Sequence, residues 1–275
     1  MKRIYLTIIA LIATITICAQ TIEVYEYDEN GNICSTPAYF STNKVKVIFS
    51  ETKHHEYVDL GLPSGTLWAT CNIGADTPEE SGLFFAWGEV MAGGEIDPKN
   101  NFLYSDTRSF VKSRFTWSQY KYYRPSQSKV SKYICMGSWL DNLHTLESCD
   151  DAAYVRWGAD WRMPTYAEFE ELADYANCSW VWYDKDNAEF KGVAGFKVQS
   201  KIEGYNDKYI FLPASGFYTD NMHFNDGSSG RYWSSELSSS SDNEFAYCLL
   251  FGKGGGSTSS SRRHIGMTIR PVYVR

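Results

Sequence analysis

The part of the chain after residue 190 alternates short apolar runs with polar turns, and this pattern constrains the fold more than any other feature. The runs are GFKVQS, YIFLPASGF, RYWSSE, EFAYCLLF and MTIRPVYV. β-branched and aromatic residues favour strands, whereas clusters of Asn, Asp, Gly and Ser favour turns. The pattern predicts short strands that carry polar loops, an arrangement typical of binding proteins. The Gly- and Ser-rich tract at 252–261 is predicted to be a disordered loop tip.

A helix is predicted to begin within the stretch DWRMPTYAEFEEL, residues 160–172. Thr165 suits the N-cap, and Glu168 lies three residues later, as a capping box requires. Its apolar face would span about three turns and comprise Phe169, Leu172, Ala173 and Ala176. Pro164 disfavours helix before it, so we expect an extended segment there. We assign Trp161 and Arg162 to structure, with Trp161 beneath the helix and Arg162 paired with a carboxylate or with backbone carbonyls.

A second short helix is predicted within SCDDAAYVRWG, with Asp150 or Asp151 as its cap and Gly158 at its end. Residues 66–70 are predicted to form a strand. Residues 95–135 are polar, aromatic and irregular, and we expect them to form a long excursion over the surface.

The first residues, MKRIYLTIIALIATITICAQ, have the pattern of a secretory signal peptide at 1–19. The apolar stretch is too short to span a bilayer as a mature helix, and the sequence suits cleavage after Ala19. The alternative is a lipoprotein acylated at Cys18, which the bulky Ile17 disfavours. We expect an exported protein that is periplasmic, on the outer-membrane surface or secreted, with no transmembrane segment.

Residues 20–52 are predicted to form a short N-terminal β segment, with a hairpin turn at Asn30-Gly31. The stretch DENGN resembles part of a calcium loop but lacks the spacing of an EF-hand. A polar linker follows, and the main domain is predicted to cover 56–275.

The formal charge of -7 includes Lys2 and Arg3, so cleavage of the signal peptide leaves 24 basic and 33 acidic residues, or -9. An acidic chain is a poor binder of nucleic acid, because phosphate neutralisation needs clustered Lys and Arg. The one basic cluster, Arg262-Arg263-His264, is predicted to be a solvated strand end.

The cysteines lack the spacing of a zinc site. Six remain after cleavage, and in an exported protein they could pair in 15 ways: Cys34, Cys71, Cys135, Cys149, Cys178 and Cys248. Cys248 lies in the apolar run EFAYCLLF, so we expect a core or disulfide sulfur.

Several motifs occur together and in order: VDLGLPSGTLWATCNIGA, PEESGLFFAWGE, DDAAYVRWGADWRMPTYAEFEEL, FLPASGF, YWSSE and IRPV. Over residues 56–275 the chain resembles the Fibrobacter succinogenes major paralogous domain family of exported Bacteroidota proteins. WRMPTYAEFEEL is also distantly similar to the RLPTEAEWE stretch of formylglycine-generating enzymes. These resemblances imply an α+β, C-type-lectin-like fold, with twisted, mostly antiparallel sheets, two main helices and long loops. They also imply that the first and last strands pair, here 66–70 with 268–274.

The resemblance implies little about activity, because one fold can host many functions. We expect an exported, non-catalytic module that binds an extracellular glycan or protein. The alternatives are a structural or assembly subunit of a surface appendage and, third, an oxidase-like enzyme. The enzyme would need a reactive cysteine pair, but only Cys248 follows Cys178. Calcium-binding lectins of this fold use Glu-Pro-Asn or Gln-Pro-Asp and Trp-Asn-Asp triplets; neither occurs here, so no cofactor is assigned.

We expect the ligand to contact polar and aromatic residues between 218 and 244. Aromatic faces stack on sugars, and Asn, Asp and Glu bond to hydroxyl groups. For Tyr232 and Trp233 the alternative is core packing. The candidate residues are Tyr218, Asn221, His223, Asn225, Asp226, Arg231, Tyr232, Trp233, Glu236 and Asp242.

Overall fold

The computed structural model describes residues 55–93, 115–127, 129–137, 140–220, 222–239 and 242–274, together with four two-residue strands at 23–24, 38–39, 96–97 and 102–103. The chain divides into two compact units, Met1–Thr52 and Lys53–Arg275. In the first unit, β1 (Glu23–Val24) pairs with β2 (Ala38–Tyr39).

The described part of the second unit has two α-helices and many short strands. The helices are α1 (Ala152–Trp157) and α2 (Tyr166–Ala173), and single 3-10 turns lie at Trp117–Gln119, Pro125–Gln127 and Ser148–Asp150. The strands are β3 (Tyr57–Asp59), β4 (Leu67–Ala69), β5 (Ile96–Asp97), β6 (Phe102–Leu103), β7 (Tyr123–Arg124), β8 (Lys129–Val130), β9 (Trp161–Arg162), β10 (Cys178–Tyr183), β11 (Gly195–Ser200), β12 (Tyr209–Pro213), β13 (Phe217–Thr219), β14 (Met222–Phe224), β15 (Ser229–Leu237), β16 (Phe245–Gly252), β17 (Gly255–Arg262) and β18 (Val272–Tyr273). The described strands pair antiparallel, which confirms the α+β class. No helix in this part of the chain has the length and apolar character needed to cross a bilayer.

The central four-stranded sheet joins the two ends of the second unit, in the order β3-β4-β18-β9. Trp68 lies opposite Val272, and Leu67 lies opposite Tyr273. The predicted pairing of the first and last strands is therefore confirmed. All three residues of β4 are buried, because an inner strand is covered on both faces.

Strand β17 corrects the prediction of a disordered tip at 252–261. It pairs with β16 in continuous register, from Arg262 opposite Phe245 to Gly255 opposite Gly252. Backbone hydrogen bonds do not depend on the side chain, so the apolar β16 can act as a template for a Gly/Ser strand. At position 256 the packing favours glycine, because a Cβ there would lie 3.0 Å from the Trp180 ring.

Among the described residues, the core consists of two clusters that meet at β15. Trp233 belongs to the first cluster, with Trp87 and Trp161. Its neighbour Tyr232 belongs to the second, with the α2 residue Phe169. Successive side chains of a strand point to opposite faces, so β15 contributes to both clusters.

The segment at 115–133 contributes to the first cluster, which corrects the prediction of a surface excursion for this part of 95–135. Residues 98–101 and 104–114 lie outside the described residues. Of the segment's aromatic residues, Phe115, Tyr120, Tyr122 and Tyr133 are buried. The rings pack edge to face: Tyr133 lies 5.0 Å from Trp87 and 5.7 Å from Tyr122, measured between centroids. The sequence did not indicate that this segment is buried, because its backbone is irregular and apolar periodicity can be recognised only in regular helices and strands.

Both helices begin where the sequence predicts. The Asp151 carboxylate accepts hydrogen bonds from the first turn of α1, which ends at Gly158. Thr165 and Glu168 form the capping box of α2. However, α2 ends at Ala173 after about two turns, because the Asp174 carboxylate accepts a hydrogen bond from the backbone of residue 176 in the turn that leads to β10.

The basic cluster is not a solvated strand end. Arg262 is exposed, whereas Arg263 is completely buried and His264 is 6% exposed. Strand β17 ends at Arg262, and the side chain of Arg263, the next residue, lies inside the protein. The inward guanidinium donates to the carbonyls of Asn243 at 2.8 Å and Lys132 at 2.9 Å, which makes its burial tolerable.

Candidate functional site

The residues predicted to bind a ligand do not form one site. Tyr218 lies on β13, and Asn225 and Asp226 follow the β13–β14 hairpin. Four others lie along β15: Arg231, Tyr232, Trp233 and Glu236. Asp242 lies in the turn before β16. Asn221 lies outside the described residues.

Tyr232 and Trp233 are core residues, which corrects their assignment to the ligand surface. Both side chains are completely buried. Tyr232 donates its hydroxyl to the Pro213 carbonyl at 2.8 Å, and Trp233 donates Nε1–H to the Phe85 carbonyl at 2.9 Å. The polar handle of each ring is thus used inside the protein, and no ligand can reach it.

Two further candidates on β15 have structural contacts. The Glu236 carboxylate accepts a hydrogen bond at 2.6 Å from the backbone nitrogen of Tyr166, the first residue of α2. The Arg231 guanidinium lies 3.8 Å from the centroid of the Phe217 ring, and burial lowers the pKa of its side chain. Glu236 therefore orients α2, and Arg231 packs beside the hairpin.

Asp242 is exposed, and its Oδ1 accepts a hydrogen bond from the backbone nitrogen of Glu244 at 3.0 Å. This bond shapes the turn that leads into β16.

The β13–β14 hairpin carries the aromatic group that remains from the prediction, in which His223 is exposed and Tyr218 is half-buried. The rings of Tyr218 and His223 stack with centroids 4.2 Å apart and planes within 2°. Phe84 meets both rings edge-on, at 4.7 Å from Tyr218 and 5.4 Å from His223. Asp220 is exposed at the turn, and Met222 is 55% exposed. We call these five residues, Phe84, Tyr218, Asp220, Met222 and His223, the hairpin surface.

The hairpin surface has fixed geometry. Tyr218 exchanges both backbone hydrogen bonds with Gly266, each at 2.8 Å. His223 Nε2 lies 2.7 Å from the Ser215 carbonyl, so that nitrogen carries the proton and donates it. The exposed imidazole is thereby held in one orientation, with Nδ1 as the remaining acceptor.

Polar groups border this surface. Asn225 is exposed with a φ of 59°, and its carbonyl accepts hydrogen bonds from the backbone nitrogens of Ser228 and Ser229. Asp226 is exposed, and its nearest cation is Lys185, with the charged atoms 3.9 Å apart. An ion pair this long and exposed contributes little, so the Asp226 carboxylate can bond to a ligand.

A second aromatic surface lies at the edge of the central sheet, and the sequence did not reveal it. His55 stacks on Trp157 at 3.6 Å, and Tyr57 stacks on Tyr273 at 4.7 Å. The buried Trp161 meets Trp157 edge-on at 5.0 Å. Trp161 therefore packs against the end of α1 rather than beneath α2. These residues are distant in sequence, so no local spacing could have linked them.

One group of described residues has the arrangement of possible metal ligands: Glu147, Cys149 and Asp150. Their chemistry does not fit a metal. Cys149 is disulfide-bonded and offers no thiolate. The Asp150 carboxylate already pairs with Lys121 at 2.7 Å and Lys132 at 2.5 Å. Two ammonium groups at one carboxylate would repel a cation.

Cys248 is a free thiol buried in the core. Of the two alternatives predicted for this residue, a core sulfur or a disulfide sulfur, the core sulfur is confirmed. Burial raises its pKa to about 12. A thiol that keeps its proton inside the core is a poor metal ligand and a poor nucleophile, so this residue gives no support to an oxidase-like centre.

Comparison of the chain with protein-family models, curated proteins and solved structures gave no match.

Proposed function

We propose that this chain is an exported, non-catalytic binding module, and that its hairpin surface recognises an extracellular glycan or protein. The observation that carries the proposal is the Tyr218–His223 stack, a rigid aromatic pair in which His223 is exposed and Tyr218 is half-buried. A flat ring offers an apolar face to a sugar, and the neighbouring Asp220, Asn225 and Asp226 offer acceptors for its hydroxyl groups. A glycan is the ligand that this chemistry fits best.

The proposal includes a C-type-lectin-like fold and membership of the Fibrobacter succinogenes major paralogous domain family. The pairing of β4 with β18 and the capping box of α2 support it. Export rests on the signal-peptide pattern at 1–19. N-terminal sequencing of protein from the culture medium or envelope should find Gln20 as the first residue. An unprocessed Met1 in cytoplasmic fractions would contradict export.

A glycan array at neutral pH, with and without calcium, tests the binding proposal. We expect His223→Ala and Met222→Ala to weaken each positive signal. Met136→Ala is the matched control, because Met136 is also exposed, at 47%, and belongs to another loop. Binding that all three variants retain equally would remove the hairpin surface from the proposal. No signal on glycan or protein arrays would contradict the binding function.

The second candidate is an assembly subunit of a surface appendage, and strand β17 favours it. β17 is the edge of its three-stranded sheet. Away from β16, no backbone hydrogen bond joins residues 255–261 to another described element. Such an edge can accept an added strand. This candidate would be supported by a stoichiometric partner that co-purifies with the protein from envelope fractions. The substitution Ser257→Lys, which places a charge at the strand edge, should then abolish the co-purification.

A further inference from the structure

Cys135 and His144 form a close contact at the protein surface. The distance from Cys135 Sγ to His144 Nδ1 is 3.2 Å, within hydrogen-bonding range for sulfur. His144 is exposed, and Cys135 is half-buried with a free thiol. The two residues lie in different arms of one loop, so their contact depends on how that loop is held.

The loop is held by two polar side chains. The Asp141 carboxylate accepts hydrogen bonds from the backbone nitrogens of Tyr133 and Ile134, both at 2.7 Å. The Asn243 amide oxygen accepts one from the backbone nitrogen of Cys135 at 2.8 Å. On the other arm, the His144 carbonyl accepts a hydrogen bond from the backbone nitrogen of Leu237 at 2.7 Å. The sulfur and the imidazole are therefore held against each other before any reagent arrives.

The other free thiols of the described residues lack this arrangement. Cys178 and Cys248 are buried, with 0% and 2% exposure, and burial raises the pKa of each to about 12. Cys71 is half-buried, like Cys135, but its sulfur lies beside the Thr70 hydroxyl at 3.6 Å. Cys71 is thus a natural internal control for the effect of the imidazole.

Cys135 needs a base to react near neutral pH. Burial and the neighbouring Asp141 carboxylate raise the pKa of its thiol, and Arg263 opposes them. A thiol with a raised pKa stays protonated at neutral pH, but its sulfur is intrinsically more nucleophilic once the proton leaves. His144 Nδ1 is placed to accept that proton, as a general base must be.

We propose that Cys135 and His144 form a reactive thiol site that exchanges with small disulfides. The Cys135 sulfur attacks one sulfur of the reagent while His144 accepts the thiol proton. A bond forms between the two sulfurs, the reagent's own S–S bond breaks, and the released thiolate takes up the proton. The products are a mixed disulfide on Cys135 and one free thiol, so no further oxidant is required. This site is separate from the hairpin surface and does not depend on the binding proposal.

The experiment treats the full chain, purified without reductant, with 5,5′-dithiobis(2-nitrobenzoic acid) and locates the adducts by peptide mapping. We expect Cys135 to react faster than Cys71 by about tenfold or more. Equal rates at the two sites would overturn the proposal without any variant.

Variants test the role of the imidazole directly. His144→Ala should slow the reaction of Cys135 to the rate of Cys71, and added imidazole should restore part of it. A merely structural role for His144 predicts no such rescue. Cys71→Ser should leave the Cys135 rate unchanged, and Cys135→Ser should abolish the fast phase. A fast phase that persists in His144→Ala would also reject the proposal.

Discussion

Arg263 Nε donates a hydrogen bond to the hydroxyl of Tyr120 at 2.9 Å, and both side chains are buried. The guanidinium carbon lies 4.7 Å from the Trp87 ring, so cation–π attraction adds to the hydrogen bonds. Because its five N–H groups fan out in one plane, arginine can hold several loops at once. Here it joins the segment at 115–133 to the end of β17.

Arg263→Lys should therefore destabilise the protein by about 3 kcal/mol, since an ammonium cannot reach the same carbonyls and would remain buried with unmet partners. Arg262→Lys is the matched control, because Arg262 is adjacent and exposed. We expect it to change stability by less than about 0.5 kcal/mol. Urea unfolding followed by tryptophan fluorescence measures both. Equal stability of the two variants would contradict the structural role of Arg263.

Glu168→Gln should weaken the start of α2. The carboxylate accepts hydrogen bonds from Arg162 at 2.7 and 2.6 Å, and from Thr66 Oγ1 at 2.7 Å. An amide can replace only part of this set and leaves Arg162 without its counter-charge, at a cost of about 2 kcal/mol. Glu170→Gln, at an exposed position of the same helix, should be nearly neutral. The midpoint of thermal unfolding would distinguish them, and matching midpoints would refute this account.

His264 should make stability fall as the pH drops from about 6.5 to about 4. Burial, with a smaller contribution from Arg262 and against the opposing effect of Asp220, lowers its pKa from 6.5 to about 4. The unfolded chain therefore takes up a proton in this range while the folded protein does not, so protonation favours unfolding. The shift corresponds to about 3 kcal/mol. His264→Gln should flatten the pH dependence of unfolding in this window, and an unchanged slope would disprove the assignment.

Asp150 should act at lower pH. Burial raises the pKa of its carboxyl, but hydrogen bonds from Lys121 and Lys132 outweigh this and bring it from 3.8 to about 2. The folded state keeps the carboxylate charged, so the stabilisation is present above about pH 4 and is lost as pH falls towards 2. Asp150→Asn should remove this acid-dependent loss and lower stability at pH 7 by about 2 kcal/mol. Urea titrations at pH 7, 4 and 2.5 test both parts.

Hydrogen exchange should identify β17 as a formed strand. The amides of residues 255–262 that face β16 should be protected, while those that face outward should exchange quickly. A control is available in the same measurement, because residues 253–254 form the turn between the two strands and should exchange freely. Rapid exchange along the whole of 255–262 would restore the prediction of a disordered tip.

Local sequence signals were sufficient where a structure depends on nearby residues. The Thr165–Glu168 capping box and the Asp151 cap span three or four positions, so the sequence predicted both. The pairing of Arg162 with a carboxylate was also confirmed, in the form of Glu168. The two caps span three or four residues and the Arg162–Glu168 pair spans six, so these interactions do not require knowledge of the rest of the fold.

Long-range packing was not readable in the same way. Tyr232 and Trp233 fit an exposed aromatic surface and a core equally well, and only the position of β15 between two clusters decides for the core. The Gly/Ser content of β17 indicated disorder, because amino-acid composition does not show that this segment pairs with the apolar strand β16. Of the candidate residues, Tyr218 and His223 stack on each other, whereas no feature of the sequence indicated that Phe84, from a distant segment, would pack against them.

The adjacency of Trp68 and Val272 has a consequence for how this molecule is made. The two positions are 204 residues apart in the chain, so the ribosome has translated almost all of the described unit before the central sheet can close. Contacts this distant slow folding, because a long stretch of chain must be ordered before they form. Nascent chains should therefore remain open until synthesis is nearly finished, and truncations that remove the last few strand residues should leave the early segments sensitive to proteases.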